Sequence, residues 1–143
     1  MALFLRWVHV LAAMTWIGGM LFIALVLVPT ARTLGDATIR TRLIRDSGRR
    51  FRAVAWTALA VLVVTGLLNL WLYPVLLTSP RFHAKLGLVG LALILSAFHD
   101  FVLGPRAGLP DADPSARIRA SWIARFNVLV ALAIVLLGLS LRG

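Results

Sequence analysis

Three histidines carry the chemistry that this chain can offer: His9, His83 and His99. There is no cysteine, so thiolate metal sites and disulfides are both excluded. There is no glutamate, only one lysine, and five aspartates. An imidazole can ligate a metal ion, hold haem iron or pass a proton. His9 sits in the stretch "HVLAAMTWIGG", inside a 22-residue run from Trp7 to Val28 that holds no charge. A membrane span needs no imidazole for its stability, so His9 calls for an explanation. Serines at 79, 96, 115 and 121 lack the His and Asp context of a nucleophilic triad. No catalytic residue can be named, and the pattern leaves open whether the chain is an enzyme.

The elements that must position these rings are transmembrane helices. The chain is 61% hydrophobic, against a soluble norm of roughly 45–50% apolar. A single soluble domain of 143 residues could not bury that much apolar surface. Four segments reach the length of about 20 residues that a span needs. They are residues 7–28, closed by Pro29; 53–77; 82–103, closed by Gly104-Pro105; and 120–141. The first run is too long for the roughly 7–15-residue core of a signal peptide, so it reads as a retained helix. The expectation is one all-α domain over 1–143, an integral membrane four-helix bundle. The linker at about 30–52 is a basic loop, within which Asp36 could cap a short surface helix. Eleven basic residues fall on the side of the first and third loops, against four (Arg6, Arg81, Lys85 and Arg142) on the other. The positive-inside rule therefore places both termini on the extracytoplasmic side of a prokaryotic inner membrane. Basic charge lying between spans points to anionic lipid headgroups rather than nucleic acid.

Depth along the helices sorts the polar residues into two layers. His9, His83, Lys85, Asn69 and Thr65 fall near the ends that share a side with the termini. His99, Asp100, Arg125 and Asn127 fall at the opposite side. His99 is about 24 Å further along its helix than His83, so it cannot share an ion with the outer layer. Two axial nitrogens on one iron lie within about 4 Å of each other. His9 and His83 can meet that condition, and His9 and His99 cannot. At about 100° per residue, His9, Trp16 and Met20 share one line of the first helix. His83 shares a face with Gly87 and Gly90, a groove for a flat macrocycle or for a neighbouring helix. Lys85 projects nearly opposite His83, toward the face of Ala92 and His99. One of the two should face the headgroups.

"HVLAAMTWIGGMLFIALVLVP" resembles the first helix of copper-resistance D type membrane proteins: His, small residues, Trp-x-Gly-Gly, then an apolar run closing in Pro. "FRAVAWTALAVLVVTGLLN" is similar to their second helix, and "FHAKLGLVGLALILSAFHDFVLGP" to their Lys-Leu helix. The last stretch also resembles the membrane-bound, haem-carrying protoporphyrinogen oxidases. Both resemblances imply a four-helix membrane module over nearly the whole chain. The first implies copper handling at the outer face, carried by His9 and His83. The second implies a b-type haem and porphyrinogen oxidation, carried by His9 with Lys85, or by His99. The aromatic-rich, Arg-containing continuation of the oxidases is missing after the first helix.

These readings leave three functions. In the leading one, haem b lies between His9 and His83, as in a small b-type cytochrome. Asn69 or Thr65 would then orient a ring, Arg6 and Arg81 would pair the propionates, and electrons would pass to a quinone or an extracytoplasmic redox partner. In the alternative, His9 and His83 hold copper or zinc, with Lys85 and His99 as lesser candidates. Two imidazoles are few for zinc, so Asn69, water, a second copy of the chain or a metal-carrying protein would complete the shell. In the third, the chain is a non-catalytic assembly subunit whose histidines are interfacial polar groups.

Overall fold

The computed structural model describes residues 2–109 and 111–140. Arg142 and the last residue of the fourth expected span therefore lie outside the described residues. Helix α1 runs from Ala2–Phe22 through a π-helical turn, Ile23–Leu27, into Val28–Arg32. Helix α2 is Ala37–Leu72. A 3₁₀ turn, Pro74–Thr78, leads to α3, which is Pro80–Phe98, a second π-helical turn His99–Leu103, and Gly104–Ala107. Helix α4 is Pro114–Ser140. No strand occurs among the described residues. All four helices are long and apolar enough to cross a membrane, and they expose many large apolar residues, among them Phe4, Met14, Ile94 and Leu136. This is a multi-pass membrane protein.

Two helices pass through the prolines expected to close them. Proline has no N–H to return to the carbonyl four residues back, and its ring crowds that carbonyl. The backbone widens just before each one. The Val28 N–H reaches back to the Ile23 carbonyl ahead of Pro29, and the Gly104 N–H to the His99 carbonyl ahead of Pro105. Each is a five-residue reach that spares the helix a break. The basic segment at 30–52 also departs from expectation. Most of it is not a loop but the first half of α2. Asp36 caps it as expected, its Oδ1 accepting from the Thr38 and Ile39 N–H groups at 2.7 and 3.1 Å, but the helix continues without interruption into the span. Its 36 residues extend about 54 Å, against a hydrocarbon thickness of about 30 Å. The Arg-bearing half thus lies beyond the apolar layer. At the other end, Tyr73 precedes Pro74, which disfavours helical backbone there, and the chain turns (φ −132°, ψ 68°).

Helices α1 and α2 pack as one pair and α3 and α4 as another, with α1 touching α4 where the pairs meet. All four contribute to one core: Trp16 from α1, Ala55, Ala58 and Leu59 from α2, Ala92 from α3, Val130 and Ala131 from α4. Four of these seven are alanine. Between helices in lipid there is little hydrophobic force to gain, and small residues bring backbones close enough for dispersion contacts to hold them. Gly19 shows how close: a Cβ there would overlap the Phe51 ring of α2.

Overpacking that contact has a defined cost. Gly19→Val should destabilise the bundle by about 1–3 kcal/mol, measured as a lower thermal midpoint in detergent, and Phe51→Leu in the same chain should recover part of the loss. The caps make a second prediction. The carboxyl of Asp36 is held below its ordinary pKa by the Ile39 and Thr38 N–H groups, and that of Asp113, ahead of α4, by the Ser115 hydroxyl and N–H. A carboxylate depressed in the folded state contributes stability above its unfolded pKa and loses it as pH falls through the lower folded value. Circular dichroism should show helicity falling in that acid window. Asp36→Asn, which caps without titrating, should flatten the part that belongs to α2.

Candidate metal site at one end of the bundle

His9 lies on α1, half-buried against α2. Its Nδ1 is 2.7 Å from the hydroxyl of Thr65, a residue 5% exposed. The same hydroxyl is 2.6 Å from the Val61 carbonyl and 3.3 Å from that of Leu62. A carbonyl oxygen can only accept, so the single hydroxyl proton of Thr65 goes to its own helix. Only lone pairs remain toward the imidazole. Nδ1 is therefore the donor, and Nε2 carries the free electron pair. That is the ring state a metal ligand needs: one nitrogen oriented from behind, the other presented. Asn69 Nδ2 donates to the Thr65 carbonyl at 2.8 Å, which holds the same turn of α2 from the far side. The ring's Cε1 lies over Gly66.

Of the two candidates on α3, Lys85 turns inward and His83 does not. The phase of the helix decides it. Phe82, Ala92 and Ser96 are buried, and Lys85 lies on that ridge. Its ammonium packs against Gly138 of α4. His83, Gly87, Leu91, Ile94 and Phe98 form the exposed ridge. The His83 ring bonds within its own turn, Nδ1 to the Ser79 carbonyl at 3.0 Å. The expected groove is open surface, with nothing within 4 Å of where side chains on Gly87 and Gly90 would begin.

The remaining expected contacts are also placed elsewhere. Trp16 is in the core, 4% exposed, two turns along α1 from His9. Met20 lies beside Asn127, 3.8 Å from its Nδ2. Arg6 stacks over the Tyr73 ring at 5.2 Å, and Arg81 donates to the Ser140 carbonyl at 3.2 Å, so neither stands ready for a propionate. A haem clamped by His9 and His83 does not fit these residues.

At the opposite end the expected inner layer separates into three groups. Asp100 accepts from Trp56 Nε1 at 3.0 Å through Oδ2 and from His99 Nδ1 at 2.9 Å through Oδ1. Asn127 donates to the Ser96 hydroxyl at 2.9 Å. Arg125 stacks over Trp122 at 5.6 Å. Trp56 and Ser96 did not emerge from the sequence as polar partners. Ser96 had a readable signal, since it falls on the ridge of Lys85, Ala92 and His99. Among the described residues, no three His, Cys, Asp or Glu side chains gather as a metal cage.

Such a bundle, with one imidazole oriented from a neighbouring helix and no cage among the described residues, defines a small membrane protein whose polar groups meet in pairs across helices. Residues 45–141 match the family model described as copper resistance protein D, and the chain belongs to that family. The match includes Thr65, Asn69, Lys85 and His99, and His9 precedes it. The chain is similar to an uncharacterized protein of Aquifex aeolicus (strain VF5), 33% identical over 135 residues, which covers 94% of this chain and 90% of that one. No solved structure matches the chain at a significant level. The resemblance to the haem-carrying oxidases gains nothing from these matches.

The Thr65 hydroxyl should matter to the ring and little to the fold. Thr65→Val keeps the shape and removes the acceptor. If His9 ligates a metal, losing this outer-shell partner should weaken binding about 10–100-fold, read by titrating purified protein. Thr65→Ser should stay near wild type.

Proposed function

We propose that this protein handles copper in the membrane and takes the ion at His9, from the extracytoplasmic side. The observation that carries the reading is the commitment of Nδ1 to Thr65, which leaves Nε2 as the donor. Membership of the copper resistance family supplies the ion. Imidazole suits copper, and without cysteine or aspartate beside His9 the site does not suit zinc cages or hard cations. A single imidazole beside the Lys85 ammonium makes a weak, exchangeable holding point, as passage of an ion requires. The remaining donors come from water, a metal-carrying partner or a second copy of the chain. The Arg-rich half of α2 sets the orientation, since positive charge is retained on the cytoplasmic side. His9 and both termini then face outward, in the inner membrane of a prokaryote.

Copper titration of detergent-purified protein tests this. Wild type should bind about one ion per chain in the outer site, His9→Ala should lose it, and His83→Ala should not. Lys85→Met should tighten binding several-fold by removing like charge. Equal binding by wild type and His9→Ala would sink the proposal.

A further inference from the structure

Arg52 stands one residue before the uncharged run of α2 begins. It is half-buried. The guanidinium carbon is 5.8 Å from the centre of the Phe101 ring. Nη2 is 3.8 Å from where a side chain on Gly104 would begin. A Cβ there would also press on the His99 carbonyl at 3.1 Å, so glycine fits the widened turn's own backbone. A guanidinium offers five N–H donors. Among the described residues none of them meets an acceptor, and Nε is fully buried without one. The carboxylate of this region does not help, because Asp100 has one oxygen on His99 and the other on Trp56.

A cation half removed from water with no acceptor is costly unless an anion joins it. The neighbouring cation is already matched, since Arg45 Nε pairs with Asp46 Oδ1 at 3.3 Å. Arg45 packs its side chain on Gly108, and His99 Cε1 approaches the same point of Gly104 as Arg52, at 4.0 Å. From Arg52 to the end of α2 is about 30 Å, one hydrocarbon thickness. That depth puts the guanidinium at the edge of the hydrocarbon layer, next to the headgroup region.

We propose that Arg52 binds a phosphate group, and that this phosphate belongs to an anionic lipid headgroup seated beside Phe101 and Gly104 of α3. The site is independent of copper at His9. It is tested by melting the full chain in detergent with phosphatidylglycerol, phosphatidylcholine or inorganic phosphate. Phosphatidylglycerol well above its Kd should raise the midpoint by roughly 5 °C or more. Arg52→Gln should lose that shift, and Arg52→Lys, which keeps charge without the planar fork, should keep only part of it. Arg42→Gln removes the same charge from an exposed position of α2 and should retain the shift. An equal effect of inorganic phosphate would uphold the phosphate site and overturn the lipid as its source. A shift that survives in Arg52→Gln, or that phosphatidylcholine matches, would overturn the proposal.

Discussion

Hydrocarbon offers no hydrogen bonds, and that constraint governs every polar atom in this bundle. A backbone or side-chain group that enters the apolar layer must bring its partner or find one on the next helix. Thr65 does both, giving its proton to Val61 and its lone pair to His9. Asp100 does it with two neighbours at once, Trp56 across the helix gap and His99 beside it. The widened turns do it for the backbone, re-bonding N–H groups where proline takes one away.

The same constraint makes the histidine informative. In water an imidazole tautomer is settled by solvent and exchanges freely. At His9 it is settled by a hydroxyl that has already spent its proton on a carbonyl. The ring's chemistry is thus set by two residues one turn apart on another helix, Val61 and Thr65. The alanine-rich core is what allows this, because only small residues between helices bring side chains as short as threonine within reach of a neighbour.

Much of this was legible from residue types. The absence of charge over four long stretches announces four spans, and 100° per residue puts Lys85 opposite His83. What periodicity cannot say is which of two opposite faces meets the bundle. On α3 both carry a polar residue near the same end, and the choice rests on Ala92 and Ser96 further along, whose small size marks the packed ridge. The histidine pair expected from depth alone therefore does not form, while Lys85 turns inward against Gly138. Proline misled in the same way. It reads as a stop, yet a helix with partners on either side can widen instead of ending. The basic stretch at 30–52 looked like a loop because it is polar, although Asp36 supplied a helix start and nothing before Tyr73 supplied a stop.

The widened turn in α3 has a geometric consequence. In a regular helix two successive side chains diverge by about 100°. Where the backbone is underwound by one residue, successive side chains splay somewhat less, and His99 and Asp100 are both part-buried and bond to each other. Pro105 thereby does more than tolerate the span: by enlarging the loop of backbone ahead of it, it gives two neighbouring titratable residues a single shared address.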